Sequence, residues 1–243
     1  TMQHGVWAEL RSVLSPISQK IIVWGEAAKR GYLRHGVPAE RIEICGNPLL
    51  EKTIINQVKH NKNDVFKRLG MDLSKKTILF LADCYVNVIA ISSFMESNIL
   101  LEAICQATGD LQNAQLVVRF HPSTSHYENI KSKKEIIRKY NQGSIFIDRN
   151  SDLFELINAS DLILIFNSTA GFEAMALNKP VVVINFTGKR DLMPFVESGA
   201  AWGIYKKEEI RPRIRDILNN HLFEVERDDK RRHFIDDQVY DLK

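Results

Sequence analysis

The residues able to do chemistry gather at three places, each at the end of an apolar run. QLVVRF is followed by His121-Pro122, with Arg119 inside the run itself. LILIF is followed by Asn167-Ser168-Thr169-Ala170-Gly171-Phe172-Glu173. VVVIN is followed by Phe186-Thr187-Gly188-Lys189-Arg190. The second is the richest. A helix starting at Ser168 or Thr169 presents unpaired backbone N–H groups and the positive end of its dipole. Two hydroxyls and the small residues beside them let a phosphate approach closely. Glu173 falls a turn further on, where a carboxylate can accept from two ribose hydroxyls. The same residues also read as an ordinary N-cap (Ser168) and a surface charge (Glu173). His121 is open in the same way: a group at the ligand edge, or a satisfied structural histidine.

Several chemistries are excluded by spacing. A zinc site on His121 and His126 has a poor i, i+5 separation and no accompanying Cys, His or carboxylate cluster, so no metal site is expected. The serine-hydrolase elbow G-x-S-x-G needs glycines where Phe166 and Ala170 stand. Neither a phosphate-binding G-x-x-x-x-G-K-[ST] loop nor a G-x-G-x-x-G dinucleotide fingerprint occurs. No Asp-x-Asp pair ends a strand, which argues against a metal-held pyrophosphate. No cofactor is expected.

The elements that must position these groups alternate short β-rich runs with longer helical ones. Strands are expected at Ile21–Trp24, Ile42–Cys45, Thr77–Ala82, Gln115–Phe120, Ser144–Ile147, Leu162–Phe166 and Val181–Asn185, with a further one at Trp202–Tyr205. Helices are expected over 26–35, 50–69, 93–107, 127–140, 151–158 (capped by Asn150 or Ser151), 168–177, 208–219 and 225–239. Continuous apolar strands between helices mean a sheet covered on both faces. The fold class is α/β, a Rossmann-like doubly wound parallel sheet from Thr77 onward. The two strands before Asn47 look like the tail of a second Rossmann-like domain.

Composition narrows the partners. The 243 residues carry 33 Lys plus Arg against 30 Asp plus Glu, a net charge of only +3. That balance gives no argument for nucleic acid. The basic run Arg227–Arg232 is interleaved with acids and reads as a solvated helix face, or as a weak contact with an anionic membrane surface. Cys45, Cys84 and Cys105 form no CxxC pair and sit in apolar surroundings, so buried thiols in a reducing compartment are expected. No apolar run reaches the roughly 18 residues a membrane span needs. A cytoplasmic protein is expected, with contact at the inner face of the membrane as the peripheral variant.

The stretch FNSTAGFEAMALNKPVVVIN resembles the nucleotide-sugar-binding segment of two-domain (GT-B) glycosyltransferases. VWGEAAKRGYLRHGVPAERIEICGNP is similar to the closing βαβ of their first domain, and FIDDQVYDLK to the final helix that crosses back to it. With Gln3-His4-Gly5, His121-Pro122 and Ser168-Thr169, the set resembles bacterial surface-polymer enzymes such as CDP-glycerol glycerophosphotransferases and capsule sialyltransferases. The resemblance implies His4 as the base that deprotonates an acceptor, and His121 with Arg119 against the leaving group. It implies Asn167, Ser168, Thr169, Gly171 and Glu173 as the substrate-binding turn, and the loop Ile145–Arg149 as the region that reads the base. The implied substrates are a UDP-, CDP- or CMP-linked sugar or polyol and a glycan or lipid-linked acceptor.

UDP-N-acetylglucosamine 2-epimerases share that architecture, but their phosphate motif usually reads Asp-Ser-Gly-Gly where this chain has Asn167-Ser168-Thr169-Ala170. A non-catalytic nucleotide-sugar-binding module is the third reading. The resemblance divides the chain into residues 1–49, a remnant of the acceptor domain, and 50–243, the donor domain with its final crossover helix. The expectation is of a fragment that binds nucleotide but lacks most of the acceptor domain, and so has little transfer activity alone.

Overall fold

The structure, a computed structural model, describes residues 19–48, 50–51, 62–82, 94–109, 111–120, 127–166, 168–219 and 222–239. The expected positions of His4, His121, His126, Asn167 and Cys84, and the middle of the 50–69 helix, lie outside these residues.

The first described elements are β1 (Ile21–Val23), α1 (Glu26–Arg34) and β2 (Ile42–Ile44). Next come α2 (Lys62–Leu69), β3 (Lys76–Ala82), α3 (Phe94–Gly109), β4 (Ala114–Phe120), α4 (Tyr127–Tyr140) and β5 (Ile145–Asp148). The third stretch holds α5 (Leu153–Ala159), β6 (Leu162–Ile165), α6 (Ala170–Ala176), β7 (Val181–Ile184) and β8 (Trp202–Ile204). The helices α7 (Ile210–Asn219) and α8 (Leu222–Gln238) follow.

Six strands form one sheet in the order β5-β4-β3-β6-β7-β8, every neighbour parallel. The chain moves outward from β3 to β5, returns to the other side of β3, and moves outward again to β8. The expected doubly wound sheet is therefore present, and the weak run Trp202–Tyr205 supplies its sixth strand.

The apolar strands are continuous because alternate side chains enter different cores. Leu79, Leu81, Ile163, Ile165, Val181 and Val183 face one layer, which holds α5, α6 and the end of α8. Ile78, Phe80, Leu162, Leu164, Val182 and Ile184 face the other, which holds α3 and α7. A strand with water on one face would alternate polar residues instead.

β1 and β2 pair in parallel as a separate two-stranded sheet, with a small core of Ile21, Val23, Ala27, Ala28, Val37 and Ile42. α8 reaches this unit. Arg30 of α1 donates to the Asp237 carboxylate at 2.5 Å. A Cβ on Gly25 would sit 2.6 Å from the Gln238 carbonyl carbon, so only glycine permits the two backbones to meet there.

Three local expectations change. α5 is capped by Asp152, whose carboxylate accepts from the N–H groups of Phe154 and Glu155 at 2.8 and 3.2 Å. Ser151 is not the cap, because its hydroxyl donates to Asp148. Cys45 is exposed at the turn leaving β2, while Cys105 is buried and its thiol is pushed up to about 12 by burial and by the nearby Glu102. The run Arg227–Arg232 is only half solvated. Arg227 donates to the carbonyls of Gly199 and Ala201 and lies over the Trp202 ring, and Arg231 is buried with Asp228 as its partner. Positions 227, 231, 234, 235 and 238 share the inward face of α8, which is why these two arginines turn in.

Candidate functional site

In a doubly wound sheet the ligand crevice opens beyond the carboxyl ends of the strands, where the winding reverses. Here the reversal lies between β3 and β6. The turn that follows β6 carries Ser168 and Thr169, so two of the expected site residues stand at the crevice.

The helix after this turn starts at Ala170, two residues later than the hydroxyl at Ser168 suggested. Thr169 holds the cap position in helical conformation, with no side-chain bond to the helix. Among the described residues Ser168 Oγ accepts only a long 3.3 Å bond from the Ala170 N–H. The Ser168 and Thr169 carbonyls accept from Gly171 and Phe172 at 3.2 and 2.9 Å. The turn is thus shaped by its backbone, and the Thr169 hydroxyl has no partner among the described residues.

Glu173 lies one turn into α6. Its side chain makes no hydrogen bond or ion pair among the described residues, and desolvation alone raises its carboxyl above the usual range. A partly buried carboxylate without a donor is costly unless something supplies one. Gly171 plays a different part. A Cβ there would stand 2.5 Å from Ile165 Cδ1 and 3.0 Å from Phe195, so the glycine lets α6 press onto β6 and Phe195. Its lack of a side chain serves core packing.

Arg119, expected with His121 against the leaving group, is held by an internal network. It faces Asp148 across the β4–β5 register, donates to that carboxylate at 3.0 Å, and donates also to the Ser151 carbonyl. Asp148 accepts a further 2.6 Å bond from the Ser151 hydroxyl. Arg68 donates to Ser151 Oγ at 3.0 Å and to Glu155 at 2.8 Å. Both Arg119 and Asp148 are largely hidden from water, so most of the guanidinium charge is neutralised inside the protein.

Beside this network an open cavity of about 640 Å³ lies at the end of β5, lined by Arg68, Lys134, Ile147, Arg149, Asn150 and Asp152 among others. It includes part of the loop expected to read a base. The structure therefore brings Ser168, Thr169 and Glu173 to one turn. It places Arg119 and the cavity two and three strands away on the same edge.

Sequence reasoning passed over Asn185 and Tyr205. Asn185 ends the VVVIN run and is buried at 3 % exposure, and its amide organises the turn after β7. The available signal was a polar residue closing a fully apolar strand. Among the described residues no group of His, Cys, Asp and Glu side chains could hold a metal ion, and no helix is long and apolar enough to cross a membrane.

The fold matches known proteins. The family model described as UDP-N-acetylglucosamine 2-epimerase matches residues 4–240. Among solved structures, the chain resembles a putative UDP-N-acetylglucosamine 2-epimerase from Listeria monocytogenes. That match has a TM-score of 0.66 at 18% identity and covers 91% of this chain and 56% of the other. It also resembles the UDP-GlcNAc 2-epimerase of Neisseria meningitidis bound to UDP-GlcNAc, with a TM-score of 0.63 at 15% identity, over 91% of this chain and 58% of that one. The wall teichoic acid polymerase TagF matches with a TM-score of 0.63 at 15% identity, over 100% of this chain and 64% of that one. The chain thus spans a little over half to about two thirds of the length of these structures. No curated protein matches it. The fold is the Rossmann-like one shared by these epimerases and GT-B transferases, and by the match over residues 4–240 the chain belongs to the UDP-N-acetylglucosamine 2-epimerase family.

Proposed function

We propose that this chain is the donor-binding part of a GT-B enzyme that transfers a sugar or a polyol phosphate from a nucleotide-activated donor to an acceptor hydroxyl in cell-surface glycan synthesis. The observation that carries the reading is the turn after β6, where the Thr169 hydroxyl and the Glu173 carboxylate have no partner among the described residues, at the reversal of the sheet. In this reading Ser168, Thr169 and the backbone N–H groups of the turn receive the diphosphate. Glu173 accepts from the ribose hydroxyls, which would supply the donors it lacks. The base occupies the cavity at the end of β5, next to Ile147 and Arg149.

With a sugar donor the acceptor oxygen attacks the anomeric carbon, the bond from that carbon to the nucleotide's phosphate oxygen breaks, and its electrons leave with the nucleotide. With a polyol-phosphate donor it attacks the polyol-bound phosphorus, the P–O–P bridge breaks, and its electrons leave with the nucleoside monophosphate. The acceptor proton passes to a general base, for which His4 is the candidate. His121 stands as the partner of the leaving group. Residues 1–49 are read as the end of an acceptor domain and residues 50–243 as the donor domain. The match of TagF over the whole chain supports transfer.

The family match supports a second reading, epimerisation of UDP-N-acetylglucosamine. Asn167-Ser168-Thr169-Ala170, in place of Asp-Ser-Gly-Gly, favours transfer. A calorimetric screen of CMP, CDP, UDP, GDP and ADP tests the site, since a ligand bound only by the folded state raises its stability. Binding that Glu173→Gln weakens is expected, and no binding of any nucleotide overturns the reading. Product analysis on the parent enzyme separates the two chemistries. Epimerised free sugar and UDP released without an acceptor would establish epimerisation.

A further inference from the structure

The turn after β7 is built by one buried side chain. Asn185 Nδ2 donates to the Lys189 carbonyl at 2.9 Å and to Asp191 Oδ1 at 2.8 Å. Asn185 Oδ1 accepts from the Thr187 N–H at 3.1 Å and from the Thr187 hydroxyl at 2.6 Å. An amide offers two donors and one acceptor oxygen with two lone pairs, so its capacity is filled entirely by the turn it heads. The Asn185 backbone N–H donates to Ile204 at 2.9 Å and so ties the head of the turn to β8. Gly188, at φ 69°, lets the chain double back over the amide. The far end of the turn is clasped as well, because the Tyr205 hydroxyl donates to Asp191 Oδ2 at 2.7 Å. Between the turn and the Tyr205 ring lies an open pocket of about 310 Å³, with Lys189, Arg190, Asp191, Met193 and Glu197 in its walls.

The position of this device gives it a use. β7 is the parallel neighbour of β6, so the Asn185 turn and the Ser168–Thr169 turn leave the same edge of the sheet. Neighbouring strands lie about 4.8 Å apart. A group attached to a diphosphate at the β6 turn is therefore within reach of the β7 turn. A turn whose shape is fixed before binding loses little entropy when a ligand arrives. The exposed Glu197 carboxylate, the cations Lys189 and Arg190 and the Tyr205 ring together suit a polyhydroxylated group.

We propose that Asn185 is a positioning residue. It holds the turn Phe186–Asp191, with Tyr205 as its outer clasp, in the shape that receives the sugar or polyol attached to the bound nucleotide. This rests on the donor-site reading above.

The test compares nucleotide with conjugate by titration calorimetry on the full chain, pairing UDP with UDP-N-acetylglucosamine and CDP with CDP-glycerol. The unaltered chain is expected to bind one conjugate more tightly than its bare nucleotide. Asn185→Ala and Asn185→Asp are expected to lose about tenfold of that advantage, roughly 1.4 kcal/mol, while binding the bare nucleotide as before. Tyr205→Phe removes only the outer clasp at a half-exposed side chain. It should lose a smaller part of the same advantage and serves where an Asn185 variant fails to fold. A conjugate advantage that survives in every folded variant overturns the proposal. So does a parallel loss of nucleotide and conjugate binding, which marks a purely structural role, and so does an unaltered chain with no conjugate advantage. If no nucleotide binds the unaltered chain, the donor-site reading fails instead.

Discussion

Two regions of one sheet edge differ in how they treat their polar groups. At the end of β5, Arg119, Asp148, Ser151, Arg68 and Glu155 answer one another through close hydrogen bonds. At the end of β6, the Thr169 hydroxyl and the Glu173 carboxylate stand without partners among the described residues. The two regions share a sheet and the same kinds of residue. The first invests its charges in holding the fold. The second carries an unanswered cost that a ligand could relieve. Satisfaction of polar groups therefore separates scaffold from candidate site here better than residue type does.

The sharpest way to break the comparison is Asp148→Ala. It leaves Arg119 as a largely buried, unpaired cation and should cost about 3–5 kcal/mol, read from the denaturant midpoint. A loss below about 1 kcal/mol would mean that the β5 network is ornamental. Gly171→Ala comes next. Its Cβ must displace Ile165 and Phe195, so a loss of about 1–3 kcal/mol is expected from the same measurement.

Glu173→Gln should do the opposite of Asp148→Ala. It removes a carboxylate that burial disfavours, so unfolding at neutral pH should show equal or slightly higher stability, while nucleotide affinity falls about tenfold or more from the lost charge-assisted bonds. The pH dependence has a definite sign. The folded carboxyl titrates above its unfolded value. The proton it holds stabilises the fold fully below the unfolded pKa, and that contribution is lost as pH rises through the raised folded pKa. The stability advantage of Glu173→Gln should therefore shrink as pH falls from neutral into the ordinary carboxylate range. An advantage that stays constant across that range would show that Glu173 has a hidden partner. The smallest effect belongs to Arg190→Ala. Its bond to Glu197 is 2.8 Å but both side chains are mostly exposed, so thermal unfolding should register no more than about 1 kcal/mol.

Much of this was legible in the residues. The runs TILFLA, QLVVRF, LILIF and VVVIN could only be strands covered on both faces, and the short helical stretches between them fixed their parallel pairing. The turn at Ser168–Thr169 was visible because small and hydroxylated residues followed an apolar strand. The fates of Arg119 and Gly171 were not visible. Arg119 is answered by Asp148, 29 residues away, and Gly171 is pressed against Phe195 on a later turn. Asn185 escaped notice because its partners, Thr187, Lys189 and Asp191, look like ordinary loop residues until the chain doubles back.

The sequence by itself determined the α/β class and the parallel winding, and with them which sheet edge is the candidate ligand edge. Those follow from local hydrophobic pattern and from the length of each connection. Tertiary structure alone decided which polar groups on that edge are spent and which have no partner among the described residues. Hydrogen bonds and ion pairs act over about 3 Å, and only the folded sheet brings residues from different strands within that range.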